Sequence, residues 1–152
     1  MHVHHFHLGP AKPSTNGAPQ VVAVGFLALV FFMLLFPMVR VWIDGSMDSR
    51  ILLQVLKTDA GVNVFAFVLL FVPPIGIAMA MLFRSAWRIA SALLALVAVI
   101  LIPLTWLTVR HEMREMMGSA VSVTPALGSY ILLVGYVTLA IVTGTAALRA
   151  RR

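Results

Sequence analysis

Ile89-Ala-Ser-Ala-Leu-Leu-Ala-Leu-Val-Ala-Val-Ile-Leu-Ile-Pro-Leu-Thr-Trp-Leu-Thr-Val109 contains no charged side chain. Wound as a helix at about 1.5 Å per residue it covers roughly 32 Å, which matches a bilayer hydrocarbon core of about 30 Å. Three further stretches have the same character: Val21–Val39, Val64–Phe83 and Gly128–Leu148. Together the four occupy more than half of the 152 residues. The chain is 61% hydrophobic and 11% charged, whereas a soluble domain is about 45–50% apolar and about 25% charged. That balance excludes a water-soluble globule and a disordered chain. With no cysteine, thiolate metal sites, CxxC haem attachment and disulfide scaffolds are excluded too.

The expected fold is an all-α integral membrane protein, a four-helix transmembrane bundle with short loops and a small amphipathic interfacial helix. Residues 1–20 read as a flexible His-rich arm, 21–148 as the bundle and 149–152 as a basic tail. A polar segment precedes the first apolar run, and that run exceeds the roughly 7–15 residues of a signal-peptide core, so it reads as a span. In the first loop Ile51, Leu52, Val55 and Leu56 recur at helical spacing behind Ser46 or Asp48 as a cap, which predicts a surface helix within Asp48–Lys57. Residues 84–88 form a tight hairpin. The third loop opens with a charged helical extension, His111–Met117, and closes at the turn-prone Thr124-Pro125.

An even number of spans puts both termini on one side. That side carries Lys12, Arg84, Arg88, Arg149, Arg151 and Arg152 without an acid; the other carries Arg40, Arg50, Lys57, Arg110 and Arg114 with all five acids. The positive-inside rule then places the termini in the cytoplasm, with Trp42, Trp106 and Tyr130 as the outer aromatic belt and Trp87 at the inner surface. Compact loops and an Ala/Arg-rich composition suit a bacterial inner membrane. The net charge of +6 belongs to the inner rim and needs no nucleic acid.

No Asp, Glu, Lys, Arg or His lies inside a span. Proton carriers, ion pumps and intramembrane enzymes need such groups at depth, so the chain reads as a non-enzyme. Ser91, Thr105, Thr108, Thr138, Thr143 and Thr145 are expected to bond the carbonyl one turn earlier. Pro73, Pro74 and Pro103 predict kinks, and Pro37 ends the first span; the kinked region could admit a lipid or apolar molecule. Small residues predict close helix packing: Gly76 with Ala80, the ridge Ser91, Ala95 and Ala98, and on the last span one arc with Gly128 and Gly135 and another with Ala140 and Gly144.

Two clusters carry ligand chemistry. His2, His4, His5 and His7 form a tract of the kind that binds zinc or copper, ahead of a Gly/Pro/Ser linker that fixes no geometry. His111, Met113, Met116 and Met117 offer imidazole and thioether ligands suited to Cu(I), near Met47. Against copper, the methionines fall at i, i+3 and i+4, the spacing of one apolar face, with Glu112 and Arg114 facing water. Asp44 to Ser49 has the opening of a calcium loop, but its twelfth position is Val55 and its sixth Ser49, so no calcium site is expected. Nor is there a phosphate-binding or hydrolase motif. The function expected is that of an accessory or scaffolding subunit whose partners are other membrane subunits and lipid, with no cofactor; copper handling and lipid binding are the alternatives.

Overall fold

A computed structural model describes residues 17–58, 61–82 and 87–150. The histidines His2, His4, His5 and His7, most of the amino-terminal arm, Arg84 and the tail residues Arg151 and Arg152 lie outside these. The described chain is mostly helical with a small sheet. Its elements are α1 (Gly17–Met33), β1 (Pro37–Ile43), β2 (Ser46–Ile51), α2 (Leu52–Leu56), β3 (Lys57–Thr58), β4 (Gly61–Val62), α3 (Val64–Leu82), α4 (Trp87–Met117), β5 (Ser122–Pro125) and α5 (Leu127–Arg149).

Helix α4 is the centre of the packing and lies against both α3 and α5, while α1 lies against α5 and α3. Its buried residues, Trp87, Ser91, Ala95, Ala98, Ile102, Thr105, Val109 and Met113, recur every three or four positions and form one continuous seam. The seam is narrow where it is made of Ser91, Ala95 and Ala98, which lets the neighbouring backbones approach. On α5 the matching stripe is Gly128, Ser129, Leu132, Tyr136, Leu139 and Thr143. Tyr136 meets Phe26 of α1 edge-on, with ring centroids 4.4 Å apart. Asn63, itself buried, accepts the Ala66 N–H on its Oδ1 at 3.0 Å and so caps α3.

The outward faces are apolar. Phe67, Phe71 and Ile75 on α3, Leu93, Leu96 and Ile100 on α4, and Val134 and Ile141 on α5 are all exposed. A surface helix in water turns charged or polar residues outward; these helices do the reverse. Two of them, spanning Trp87–Ala120 and Leu127–Arg149, are long and apolar enough to cross a membrane; the apolar helix Val64–Ala80 is shorter. Pro73 and Pro74 lie inside α3 and Pro103 inside α4, and both helices continue through them.

The all-α expectation is corrected by the sheet, whose order is β2-β1-β5, antiparallel throughout. Helix α1 stops at Met33, so Pro37–Val39 belong to β1 and not to the first span. Proline disfavours helical geometry in the residue before it and has no N–H for a ladder, which suits it to a strand's first position. From there Val39, Val41 and Ile43 alternate with Arg40 and Trp42, and Val39 and Val41 are buried while Arg40 and Trp42 are exposed. Asp44 and Gly45 then turn the chain with φ of 47° and 82°, the two positive values that a two-residue hairpin turn of type I′ requires. Ser46 does not cap a helix; its hydroxyl donates to the Ile43 carbonyl at 2.7 Å across this turn. The surface helix predicted within Asp48–Lys57 is therefore half strand, since Asp48–Ile51 belong to β2 and Lys57 to β3. Only Leu52–Leu56 is helical, with Leu52 and Val55 buried and the Gln54 side chain accepting the Ile51 N–H at 3.0 Å. Thr124-Pro125, read as a turn, pairs with β1 at Arg40 and Val39.

Candidate functional site

The hydrogen bonds that tie β1 to the start of α5 converge on the Met38 carbonyl. Ser129 at the start of α5 donates its hydroxyl to the Met38 carbonyl at 2.5 Å, and the Ala126 N–H reaches the same oxygen at 2.9 Å. Gly128 sits between them, and a Cβ there would lie 2.6 Å from the Pro37 carbonyl oxygen. The glycine read as a helix-packing residue thus packs on a strand. Its backbone neighbour cannot rotate away as a side-chain tip could.

The other small residues divide into filled and open positions. Ser91, Ala95 and Ala98 are fully buried, Ala80 is buried, and Ala140 is packed at the edge of the core. At Gly76 a Cβ would come within 2.6 Å of Leu94, so α3 approaches α4 there. Gly135 is half-buried on α5. Among the described residues, Gly144 has nothing within 4 Å of a Cβ position. It lines an apolar groove of about 260 Å³ with Ile89, Ala92, Leu93, Ala147 and Leu148.

Most of the hydroxyls inside the helices are spent on their own backbone. Thr105, Thr108, Thr138 and Thr143 each donate to the carbonyl four residues earlier at 2.7–2.8 Å, and Thr145 donates to Val142 at 3.1 Å. Ser91 is the departure: its Oγ is buried without a partner among the described residues. Arg88 reaches across from α4 to the Ala146 carbonyl at 3.3 Å and ties the two helix ends together.

The thioether and imidazole candidates differ in exposure. Met113 is buried in the seam, whereas Met116 and Met117 are exposed, so the three do not share one apolar face. The physical reason is that the seam passes through Val109 and Met113 and the helix then ends at Met117, leaving its last turn nothing to pack on. His111 is exposed, with Nε2 3.2 Å from Glu115. Met47 is exposed on β2, opposite Trp42 of β1. Among the described residues no three histidine, aspartate or glutamate side chains gather as a metal-binding group.

Glu112, expected to face water, is half-buried, and its Oε2 is covered without a partner among the described residues. It lies in the charged extension beyond the apolar part of α4. Burial pushes its carboxyl above the usual carboxylate range; nearby His111 opposes this and Glu115 adds to it.

A second groove, of about 150 Å³, lies near the sheet end of the α4–α5 seam. Ile102, Pro103, Trp106, Pro125, Tyr130 and Leu133 line it. Pro103 therefore faces an open apolar surface, while Pro73 is buried in α3 and does not line this groove. The Arg110 guanidinium stands over the Trp106 ring, 5.5 Å from its centroid.

Three features escaped the sequence reading. The hairpin was signalled by Asp44-Gly45 between alternating apolar residues, a strong short-range sign of a type I′ turn. The Met38–Ser129 bond joins residues 91 positions apart, and local pattern does not reveal it. The groove arises only where α4 and α5 meet. No protein-family model matches the chain, and neither a curated protein nor a solved structure is significantly similar to it.

Proposed function

We propose that the chain is a non-catalytic accessory or scaffolding subunit of a larger integral-membrane assembly, packing on its partners through small-residue helix faces. In this reading α1, α3, α4 and α5 cross the bilayer, the sheet caps the outer end, and both termini lie in the cytoplasm of a bacterial-type inner membrane. Support for the membrane comes from the exposed apolar faces and from the two helices of spanning length. Support for a packing role comes from the uncharged helix interiors, where hydroxyls bond their own helix and hold no proton or ion path.

The observation that carries the proposal is the contrast among three glycines. Gly76 and Gly128 are covered by this chain's own side chain and backbone, while Gly144 is open, beside Ala92 and Ala147 in an apolar groove. A partner helix meeting that face would approach closely, and in lipid such van der Waals contact drives association. The native protein, extracted in mild detergent, should carry at least one other membrane chain, identified by mass spectrometry. Gly144→Leu should release that chain while leaving the helix content and the thermal midpoint of the isolated protein unchanged. Recovery of the wild-type protein as a lone monomer would defeat the proposal.

A further inference from the structure

The groove at the sheet end of the α4–α5 seam combines three properties that belong to a lipid and not to a helix. Its lining is almost wholly hydrocarbon and ring surface: Ile102, Pro103, Trp106, Pro125, Tyr130 and Leu133. Of the two hydroxyls among its lining residues, that of Ser129 is already committed, since it donates to the Met38 carbonyl, and the other is the phenol of Tyr130. A void of about 150 Å³ accepts a group the size of a benzene ring or several methylenes. The groove also lies where α4 changes from uncharged to charged, at Val109-Arg110, and Trp106 and Tyr130 are the residue types that favour a membrane's interfacial layer.

The cation supplies the second half of the site. Arg110 stacks on Trp106, a wall of the groove, and among the described residues it makes no ion pair; the acids of this end include Glu115, paired with His111, and Asp48, paired with Arg50. Stacking on an indole holds the planar guanidinium with its N–H groups free at the edge, a geometry suited to a phosphate. The Trp106 Nε1–H is itself covered and finds no acceptor among the described residues, so the polar half of the site is Arg110.

We infer that this groove holds one acyl chain of an anionic phospholipid, with the phosphate on Arg110. The inference rests on the membrane reading above. It assigns a task to the aromatic half of the seam, which the packing role leaves unused.

Tryptophan fluorescence tests it in the whole chain. A protein bearing Trp42→Phe and Trp87→Phe keeps Trp106 as its sole emitter, because the sequence has three tryptophans. It is reconstituted into phosphatidylcholine vesicles containing increasing fractions of acyl-brominated phosphatidylglycerol or, separately, acyl-brominated phosphatidylcholine. The expected result is half-maximal quenching at an about fivefold lower fraction of the glycerol lipid, the scale of one basic residue near an anionic headgroup. Arg110→Gln should abolish this preference while quenching by the choline lipid persists, and Arg50→Gln, at the sheet edge, should leave the preference intact. Equal quenching by both lipids, or a preference that survives Arg110→Gln, overturns the lipid site and leaves the membrane reading standing. No quenching by either lipid overturns both. Far-ultraviolet circular dichroism of each variant establishes that it is folded.

Discussion

The helical body and the sheet end are held together in opposite ways. In the body, α4 contacts two neighbours along a seam from Trp87 to Met113, and the loss of one contact leaves many others. The sheet has three short strands, with β2 and β5 at its edges, and the hydrogen bonds of its tie to α5 are concentrated at Met38 and Ser129, beside Gly128. Distributed packing suits an element surrounded by lipid, where hydrophobic burial gives no drive and contact area must supply the cohesion. A junction of two hydrogen bonds suits a cap in water, where apolar burial of Val39, Val41 and Val123 adds to it. The two regions should therefore respond differently to single substitutions.

The largest effect is expected at that junction. Gly128→Leu drives a side chain into the Pro37 carbonyl, so the sheet must shift from α5. Overpacking of this kind costs about 1–3 kcal/mol or more where backbone cannot yield. Limited proteolysis should cut within residues 37–51 in the variant and not in the wild type, while helical dichroism is kept. A variant whose helices melt together with the sheet would show that the two regions are one cooperative unit.

Next comes the turn. Gly45 has φ of 82°, and a β-branched residue there is strained by about 1–2 kcal/mol. Gly45→Val should expose the β1–β2 hairpin to proteolysis to a lesser degree than Gly128→Leu and leave the helices untouched. If it proves harmless, the hairpin adds little to the cap, and the comparison sharpens to the β1–α5 junction alone.

The smallest effect expected is electrostatic. Burial raises the Glu112 pKa, so the folded state holds its proton more tightly than the unfolded state. Between the unfolded value near 4.5 and the higher folded value, the folded form binds more protons, and stability falls as pH rises through that window. Above it the ionised carboxylate is a standing penalty. Glu112→Gln should therefore raise the thermal midpoint slightly at pH 7, within about 0.5 kcal/mol because the half-buried group keeps part of its contact with water, and the gain should vanish below pH 4. A lowered midpoint at pH 7 would show that the carboxylate makes a favourable contact.

How much was legible in the sequence follows the same division. Spans near Ile89–Val109 and Gly128–Leu148 were readable because helix interiors repeat locally, and a run without charge announces itself. Ser91, Ala95 and Ala98 stand at helical spacing for the same reason, and all three are buried on α4. The sheet was hidden because Pro37–Ile43 is apolar enough to extend a span, and because Ile51, Leu52, Val55 and Leu56 match a helical period across a boundary between strand and helix. Composition dominated where period two and Asp44-Gly45 should have been weighed. Sequence could not separate Met113 from Met116 and Met117, since that depends on where α4 outruns its neighbours. Nor could it distinguish Gly128, filled by a strand, from Gly144, left open.

The proposed arrangement puts the sheet in water on the side of the membrane opposite both termini, with the helices between. The absence of cysteine makes this directly measurable. Ser46→Cys, on the exposed end of β2, and Ser14→Cys, in the amino-terminal arm, are each the sole thiol in the chain. Treated in intact cells with a membrane-impermeant maleimide, the Ser46→Cys protein should label fully, and the Ser14→Cys protein only after the membrane is broken. Labelling of both from the same side, or of Ser14→Cys alone in intact cells, would contradict the arrangement.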